Sequence, residues 1–281
     1  MYMIKIKIFC PFASNENCKE IFERINYSVE CSFYGIDKKY YITNAEDYTH
    51  AIIINTSMPD LKISKENVLG LAFEPICFLY LTPEFIEYAK KHIGRYFIGD
   101  NSGLPNLFIE HFAYMWHSRP PTEITLKNKL MSIVVSEKQF APGHIYRHKL
   151  VEKIIKYNLP VDIYGRGSTQ YNYDRVMGTF NDAEPYENYS FSICVENNIC
   201  NDYFSEKIIT PAMYNCMPIY LGCKNLKNYL ENIVILSGDI EKDILIIIEL
   251  LNNPNKYYRK TYTEKNIKAV NLIQNLPNLF P

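Results

Sequence analysis

The sequence predicts two Rossmann-like α/β domains facing a cleft, on three observations. Short apolar strands alternate with amphipathic helices, a proline-bearing break interrupts every period near the middle, and the alternation then restarts. In the first half, Ile4 to Phe9 reads as a strand, Cys18 to Ile25 as a helix, and Ala51 to Ile54 and Val68 to Phe73 as further strands. Glu84 to His92 repeats apolar positions at helical spacing, and Tyr96 to Ile98 reads as the strand after it. The run Ser118-Arg-Pro-Pro121 stops both periods, because proline fixes φ, lacks an N–H and disfavours helix in the residue before it. A linker over about residues 117–126 is expected there, dividing the chain into an N-terminal domain, 1–120, and a C-terminal domain, 121–281. A chain of 281 residues is long for one ordinary core, which suits two smaller ones.

The second half resumes with Leu130 to Val135 as a strand, Tyr146 to Tyr157 as a helix, and Leu159 to Tyr164 and Phe191 to Val195 as strands. Glu206 to Tyr214 reads as a helix ahead of the strand Pro218 to Leu221. Val234 to Leu236 reads as another strand, and Ile240 to Leu251 and Lys256 to Leu276 as helices. Ligands of such sheets bind beyond the carboxyl ends of the strands, so function is sought there.

Composition narrows the partners. The net charge is −1 and neither sign forms long blocks, so the electrostatic footprint of a nucleic-acid binder is lacking. No run approaches the roughly 20 apolar residues of a membrane span. The opening Met1 to Pro11, with Lys5 and Lys7 among apolar residues, reads as a strand rather than a signal peptide, so a soluble, cytoplasmic protein is expected. The cysteines make no CxxC pair and read as reduced thiols, and the N-x-S triplets at Asn26, Asn55 and Asn188 carry no weight.

One stretch carries chemistry: Phe191-Ser-Ile-Cys-Val-Glu196-Asn197-Asn198-Ile-Cys-Asn-Asp202-Tyr203-Phe-Ser205-Glu206-Lys207, followed by Pro218-Ile-Tyr-Leu-Gly222. A buried strand delivers Glu196 and Asn197 to its carboxyl end, a polar loop follows, and Ser205 begins a helix led by Glu206 and Lys207. A helix N-terminus offers unpaired N–H groups and a positive dipole end, and a lysine adds a point charge suited to phosphate. Taken alone, Ser205 reads equally as an N-cap, Glu206 as a first-turn acid and Lys207 as a solvated side chain.

This pattern resembles the donor-site signature of the family-ten α-1,3-fucosyltransferases: apolar strand, Glu-Asn, a short loop, Asp-Tyr, a small hydroxyl residue, Glu-Lys, and a Pro-apolar-aromatic-apolar-Gly strand. Upstream, Val135-Ser136-Glu137-Lys138, the helix bearing Arg147, and Val161-Asp162-Ile163-Tyr164-Gly165 follow that family's order, so the resemblance spans about residues 130–225. It implies a GT-B fold whose last helix crosses back onto the first domain. It also implies an inverting transfer of a sugar, L-fucose from GDP-fucose, onto a hydroxyl of a glycan acceptor. Arg147 and Lys207 would hold the diphosphate, Asn197 and Tyr203 would line the nucleotide, and Glu206 would contact the sugar's hydroxyls, with Glu196 and Ser205 as secondary donor-site candidates. No cofactor beyond the nucleotide-sugar co-substrate is implied.

An inverting transfer requires a carboxylate base. In Ala72-Phe73-Glu74-Pro75, Glu74 follows an apolar strand, where the family often has a Glu-containing, proline-bearing turn, and it is the first candidate; a solvated strand-end acid is the alternative, and Glu84, Asp100 and Glu110 are rivals. No tight D-x-D pair appears, so no metal site is expected. His111 and His117 complete no ligand set, and His144 and His148, though spaced for one helix face, follow Pro142-Gly143, read as irregular backbone, with no completing carboxylate. Two other readings stay open: the same scaffold using another nucleotide sugar, and a non-catalytic nucleotide-sugar or glycan-binding protein.

Overall fold

Apolar residues on both faces of consecutive strands favour a parallel sheet covered by helices on each side. The computed structural model describes residues 3–11, 39–114, 121, 123, 125–181, 183–261, 266 and 269–281, and builds that arrangement twice. One compact unit comprises Met1–Arg119, Cys200–Tyr203 and Lys268–Pro281, the other Pro120–Ile199 and Phe204–Ile267. The division differs from a single cut after residue 120, since two later segments group with the first unit. The helix expected at Cys18–Ile25, Cys31, the triplet at Asn26, His117 and much of the linker lie outside the described residues. No described helix is long and apolar enough to cross a membrane.

The first unit contains β1 (Ile4–Phe9), β2 (Tyr40–Ile42), β3 (His50–Ile54), β4 (Val68–Leu71), α1 (Ile76–Leu79), α2 (Pro83–His92), β5 (Arg95–Ile98) and β6 (Phe108–Glu110). Its strands run parallel in the order β2-β1-β3-β4-β5-β6. The two-residue period sorts the side chains. Ile4, Ile6 and Ile8 join Ile52, Ile54, Leu69 and Leu71 in one core layer, whereas Phe9, Ala51, Ile53 and Val68 join Phe85 and Ala89 of α2 in the other. The first layer is completed by Leu272, Ile273, Leu276 and Leu279 of the C-terminal helix Leu272–Leu279. Tyr40 Oη and an Arg95 guanidinium nitrogen donate to the carbonyls of Phe280 and Leu279, at 2.7 and 2.6 Å.

The second unit contains β7 (Lys129–Val134), α3 (Pro142–Lys156), β8 (Val161–Tyr164), β9 (Val176–Gly178), β10 (Tyr189–Val195), α4 (Glu206–Met213), β11 (Met217–Leu221), β12 (Val234–Ile235), α5 (Ile240–Asn252) and α6 (Pro254–Tyr257). The parallel order is β12-β11-β10-β7-β8-β9, the dinucleotide-fold order in which connectivity reverses between the two central strands, here β7 and β10. Beyond their carboxyl ends lies the switch point where such sheets bind ligands.

Three buried polar anchors brace this unit. The fully buried Asp243 accepts from Ser237 N, Ser237 Oγ and Gly238 N at 2.7–2.8 Å and from Tyr146 Oη of α3 at 2.5 Å. His148 lies 2.9 Å through Nε2 from the Ser136 carbonyl and 2.6 Å through Nδ1 from Tyr171 Oη; both partners are met when Nε2 carries the proton. Asp162 accepts from Tyr189 Oη at 2.6 Å and from Arg175 at 2.9 Å, so the Val-Asp-Ile-Tyr-Gly run ties strands together.

Two expectations are corrected. Pro142 and Gly143 are not irregular: proline occupies the first helical position, where its missing N–H costs nothing, and α3 starts there. The single helix expected over Lys256–Leu276 is broken after α6 and again at Asn271, whose side chain caps the C-terminal helix by accepting from Gln274 N at 2.9 Å. Strands β2, β6 and β9, three residues each, were too short for periodicity to mark.

Gly143 permits the closest approach in the second unit. Its N–H donates to the Asn197 carbonyl at 3.0 Å, and an added Cβ would stand 1.7 Å from the Glu196 carbonyl oxygen. Gly143→Ala should destabilise the protein by about 1–3 kcal/mol, as overpacking against backbone does, measured as a lowered urea midpoint at unchanged slope.

Candidate functional site

Strand β10 ends by carrying Glu196 and Asn197 to the switch point, where Glu196 N is held by the Leu221 carbonyl at 2.8 Å. The Glu196 side chain has no solvent exposure. Its carboxylate accepts from Ser205 N at 2.8 Å, Ser205 Oγ at 2.7 Å and Tyr220 Oη at 3.4 Å, and Lys207 Nζ stands 3.7 Å away. Ser205 is the N-cap of α4, so one buried carboxylate fixes where that helix begins. Burial pushes the Glu196 carboxyl above the ordinary glutamate range, against the pull of Lys207. Lys207 Nζ also reaches Ser205 Oγ at 3.1 Å and Glu206 at 3.0 Å. Burial opposes its charge, yet the Glu196 and Glu206 carboxylates outweigh that and hold its pKa above the usual lysine value. Partial loss of hydration beside the packed helix start opposes ionisation of Glu206, whose side chain is still 58% exposed, and Lys207 overrides it, leaving Glu206 below the ordinary range.

From the other side comes α3. Arg147, 6% exposed, donates through Nε to the Gly143 carbonyl at 3.2 Å and through a terminal nitrogen to Asn197 Oδ1 at 2.9 Å. His144, buried, accepts from Ala141 N through Nδ1 at 3.3 Å. Burial first, then the charges of Arg147, Lys138 and Lys207, press its pKa down to about 4. Those three cations therefore act together on one point beside the first turn of α3, a setting for an anion. Ser136 Oγ, just past β7, is a buried hydroxyl without a hydrogen-bond partner.

The structure thus brings together Arg147, Asn197, Glu196, Ser205, Glu206 and Lys207. Tyr203, 5% exposed, and Glu74 belong to the first unit. Glu74 follows β4 and precedes Pro75, the residue just before α1, at a carboxyl edge. Among its rivals, Asp100 accepts from Ser102 N at 2.9 Å and is held below the usual aspartate value by its Ser102 bonds, side chain first; that makes it a poorer base. Glu84 sits in the first turn of α2 and Glu110 at the end of β6. Sequence reasoning missed the electrostatic role of His144 and Lys138; the signal was a polar side chain at the third helical position behind Pro142, where reach-back capping occurs. Among the described residues no cluster of three His, Cys, Asp or Glu is placed to hold a metal ion.

Two Rossmann-like parallel-sheet units in one chain, the second bearing this cationic edge, define a protein of the GT-B glycosyltransferase fold. A crystal structure of an α1,3-fucosyltransferase matches with a TM-score of 0.58 at 15% identity, covering 99% of this chain and 89% of that one. An α-glucosyltransferase solved with UDP and a 13-mer DNA matches with a TM-score of 0.60 at 11% identity, covering 96% of each. At these identities the likeness is one of fold. The family model described as glycosyltransferase family 10 (fucosyltransferase), C-terminal part, matches residues 124–265, half of the chain, and the chain belongs to that family. GDP-fucose protein O-fucosyltransferase 3 of Xenopus tropicalis is 27% identical over 122 residues, 40% of this chain and 26% of that protein. Alpha-(1,3)-fucosyltransferase B of Drosophila melanogaster is 28% identical over 141 residues, 46% of this chain and 31% of that protein. The match spans about a quarter to a third of these relatives' length.

A carboxyl whose folded pKa lies above its unfolded one contributes stability below the unfolded value and loses it as pH rises through the folded value. Relative to Glu196→Gln, the wild type should therefore lose stability as pH rises above the ordinary glutamate value of 4.5, until the buried carboxyl has ionised. Urea unfolding of both proteins between about pH 4 and 8 measures this difference; a wild-type advantage that grows with pH would contradict the burial argument.

Proposed function

We propose that the chain is an inverting glycosyltransferase that moves L-fucose from GDP-fucose onto a hydroxyl of a glycan acceptor. The observation that carries this reading is that two cations are held by adjacent residues at the switch point of the second sheet, Arg147 by Asn197 and Lys207 by Glu196, where α3 and α4 begin. As the bond from the anomeric carbon to phosphate breaks, the nucleoside diphosphate leaves with the electron pair and its negative charge grows. Fixed cations and helix N-termini stabilise that charge as it develops, and they take the place of a divalent metal. Arg147 supplies a bidentate fork and Lys207 a point charge. Asn197 and Tyr203 line the nucleotide, and Glu206, 58% exposed beside Lys207, meets the sugar's hydroxyls. Membership in family 10 and the GDP-fucose in the name of a curated relative support the donor.

On the acceptor side, Glu74 takes the proton of the acceptor hydroxyl while that oxygen attacks the anomeric carbon from the face opposite phosphate. Its position at the carboxyl edge of β4, ahead of a proline-initiated turn, supports the assignment.

A thermal-shift panel of GDP, GDP-fucose, UDP and UDP-sugars tests the donor. GDP and GDP-fucose should raise the melting temperature; a response to uridine nucleotides alone would assign the scaffold to another donor. Lys207→Ala should weaken GDP binding by about 1.5–3 kcal/mol and slow transfer as well, since a charge-assisted contact is lost where charge accumulates. Transfer should persist in EDTA, and loss restored by Mn²⁺ or Mg²⁺ would refute the metal-free leaving group.

Glu74→Gln should leave donor affinity near normal while transfer falls about 10²-fold or more, the usual contribution of a positioned base. A folded Gln variant with unchanged turnover would move the base to Glu84, Asp100 or Glu110, and GDP-fucose binding without transfer or donor hydrolysis in the wild type would mark a binding protein.

A further inference from the structure

Between β7 and α3 the chain is pinned at two points. His148 Nε2 meets the Ser136 carbonyl at 2.9 Å, and Ala141 N donates to His144 Nδ1 at 3.3 Å. The four residues between these anchors, Glu137, Lys138, Gln139 and Phe140, are all exposed. For the first three, which are polar, exposure is ordinary. Phe140 is the exception, a phenyl ring left 70% exposed directly before the residue that caps α3.

An apolar side chain at that position commonly packs onto the fourth helical residue as a hydrophobic staple. Here the fourth residue is Ile145, itself 42% exposed, and a closed staple would bury both side chains. Phe140 meets the third helical residue instead: its ring centre lies 4.8 Å from that of His144, with the planes at 82°. His144 is only 3% exposed, so the phenyl ring has a fixed partner while most of its surface stays open to water.

Place gives the open ring a use. Arg147 follows His144 by three positions, on the same side of α3, and donates to Asn197 Oδ1 at 2.9 Å. The ring therefore stands at the outer end of a short row that leads inward to a cation of the diphosphate site. A nucleotide has the matching shape, with a flat π-face at one end and phosphate at the other. Lys138 Nζ lies 5.9 Å from the Phe140 ring centre. A cation over a water-exposed ring is worth less than a stacked base, and this exposed lysine swings aside on a flexible stem, so a base displaces it. Its charge meanwhile favours an anionic ligand at this rim.

We propose that Phe140 is the stacking platform for the nucleobase of the donor. The inference rests on the donor-site reading given above and deepens it. Every base offers a π-face, so the ring contributes affinity for the nucleoside without choosing between guanine and uracil.

Calorimetric titration of the full chain with GDP, GDP-fucose and UDP tests the proposal. Phe140→Ala should weaken GDP and GDP-fucose binding by one common factor of about ten, in keeping with the loss of a stacked ring. Phe140→Tyr should bind as the wild type does, and Phe140→Leu, apolar but without a π-face, should lose as much as the Ala variant. An unchanged urea midpoint confirms that each variant is folded, as the exposure of the position leads one to expect. Wild-type GDP affinity in the Ala or Leu variant would overturn the stacking role. So would a loss seen with GDP-fucose and absent with GDP, which would place the ring against the sugar. A wild type that binds UDP and not GDP would overturn the guanine donor alone, and the same factor read with UDP then decides the stacking. A wild-type chain that binds none of the three would overturn the donor-site reading and this inference with it.

Discussion

The Glu196 carboxylate lies out of contact with water, and the edge of the second sheet is built around keeping it there. Removing a carboxylate from water costs several kcal/mol unless hydrogen bonds and an opposite charge replace the hydration. Ser205 replaces two water contacts, Tyr220 a third, and Lys207 supplies the charge. The consequence is geometric. Because Ser205 is both the carboxylate's partner and the cap of α4, the start of that helix cannot move without uncovering Glu196. Lys207, two residues on, is held in place with it.

The same economy governs α3. Tyr146 fastens it to the buried Asp243, His148 fastens it to the chain leaving β7, and Gly143 lets its first turn rest on the backbone of Glu196 and Asn197. Each contact lies on a different turn or face, so the helix is fixed in rotation as well as in position. Arg147 and His144 inherit that rigidity. A guanidinium that is 6% exposed loses little conformational freedom on meeting a ligand, which is what a receiving site requires.

Glu196 also shows how one feature served two readings. As part of a motif it pointed to a donor site, yet its full burial makes it the scaffold on which Ser205 and Lys207 stand. Asp162 and Tyr164 make a similar point, since the Val-Asp-Ile-Tyr-Gly run contributes hydrogen bonds that knit β8 to β9 and β10.

From sequence alone came the two α/β units and nearly every strand longer than three residues, because apolar runs such as Ile193–Val195 and Pro218–Leu221 carry their period locally. The Glu-Asn to Glu-Lys motif was legible for the same reason, since a helix start and a strand end are written within a few neighbouring residues, whereas Arg147 was marked only by its place in the family's motif order. The short strands β2, β6 and β9 were not, since three residues give no period and their pairing depends on a neighbouring strand. Nor was the break at Asn271, which a side-chain cap decides; the docking of Leu272–Leu279 on the first sheet was implied by the family resemblance and by no period of its own, because a distant apolar layer decides it. The state of His144 lay furthest from reach. Its neutrality depends first on burial and then on Arg147, Lys138 and Lys207, charges carried by a loop and two different helices, and both burial and electrostatic fields act through space whatever the order of the residues along the chain.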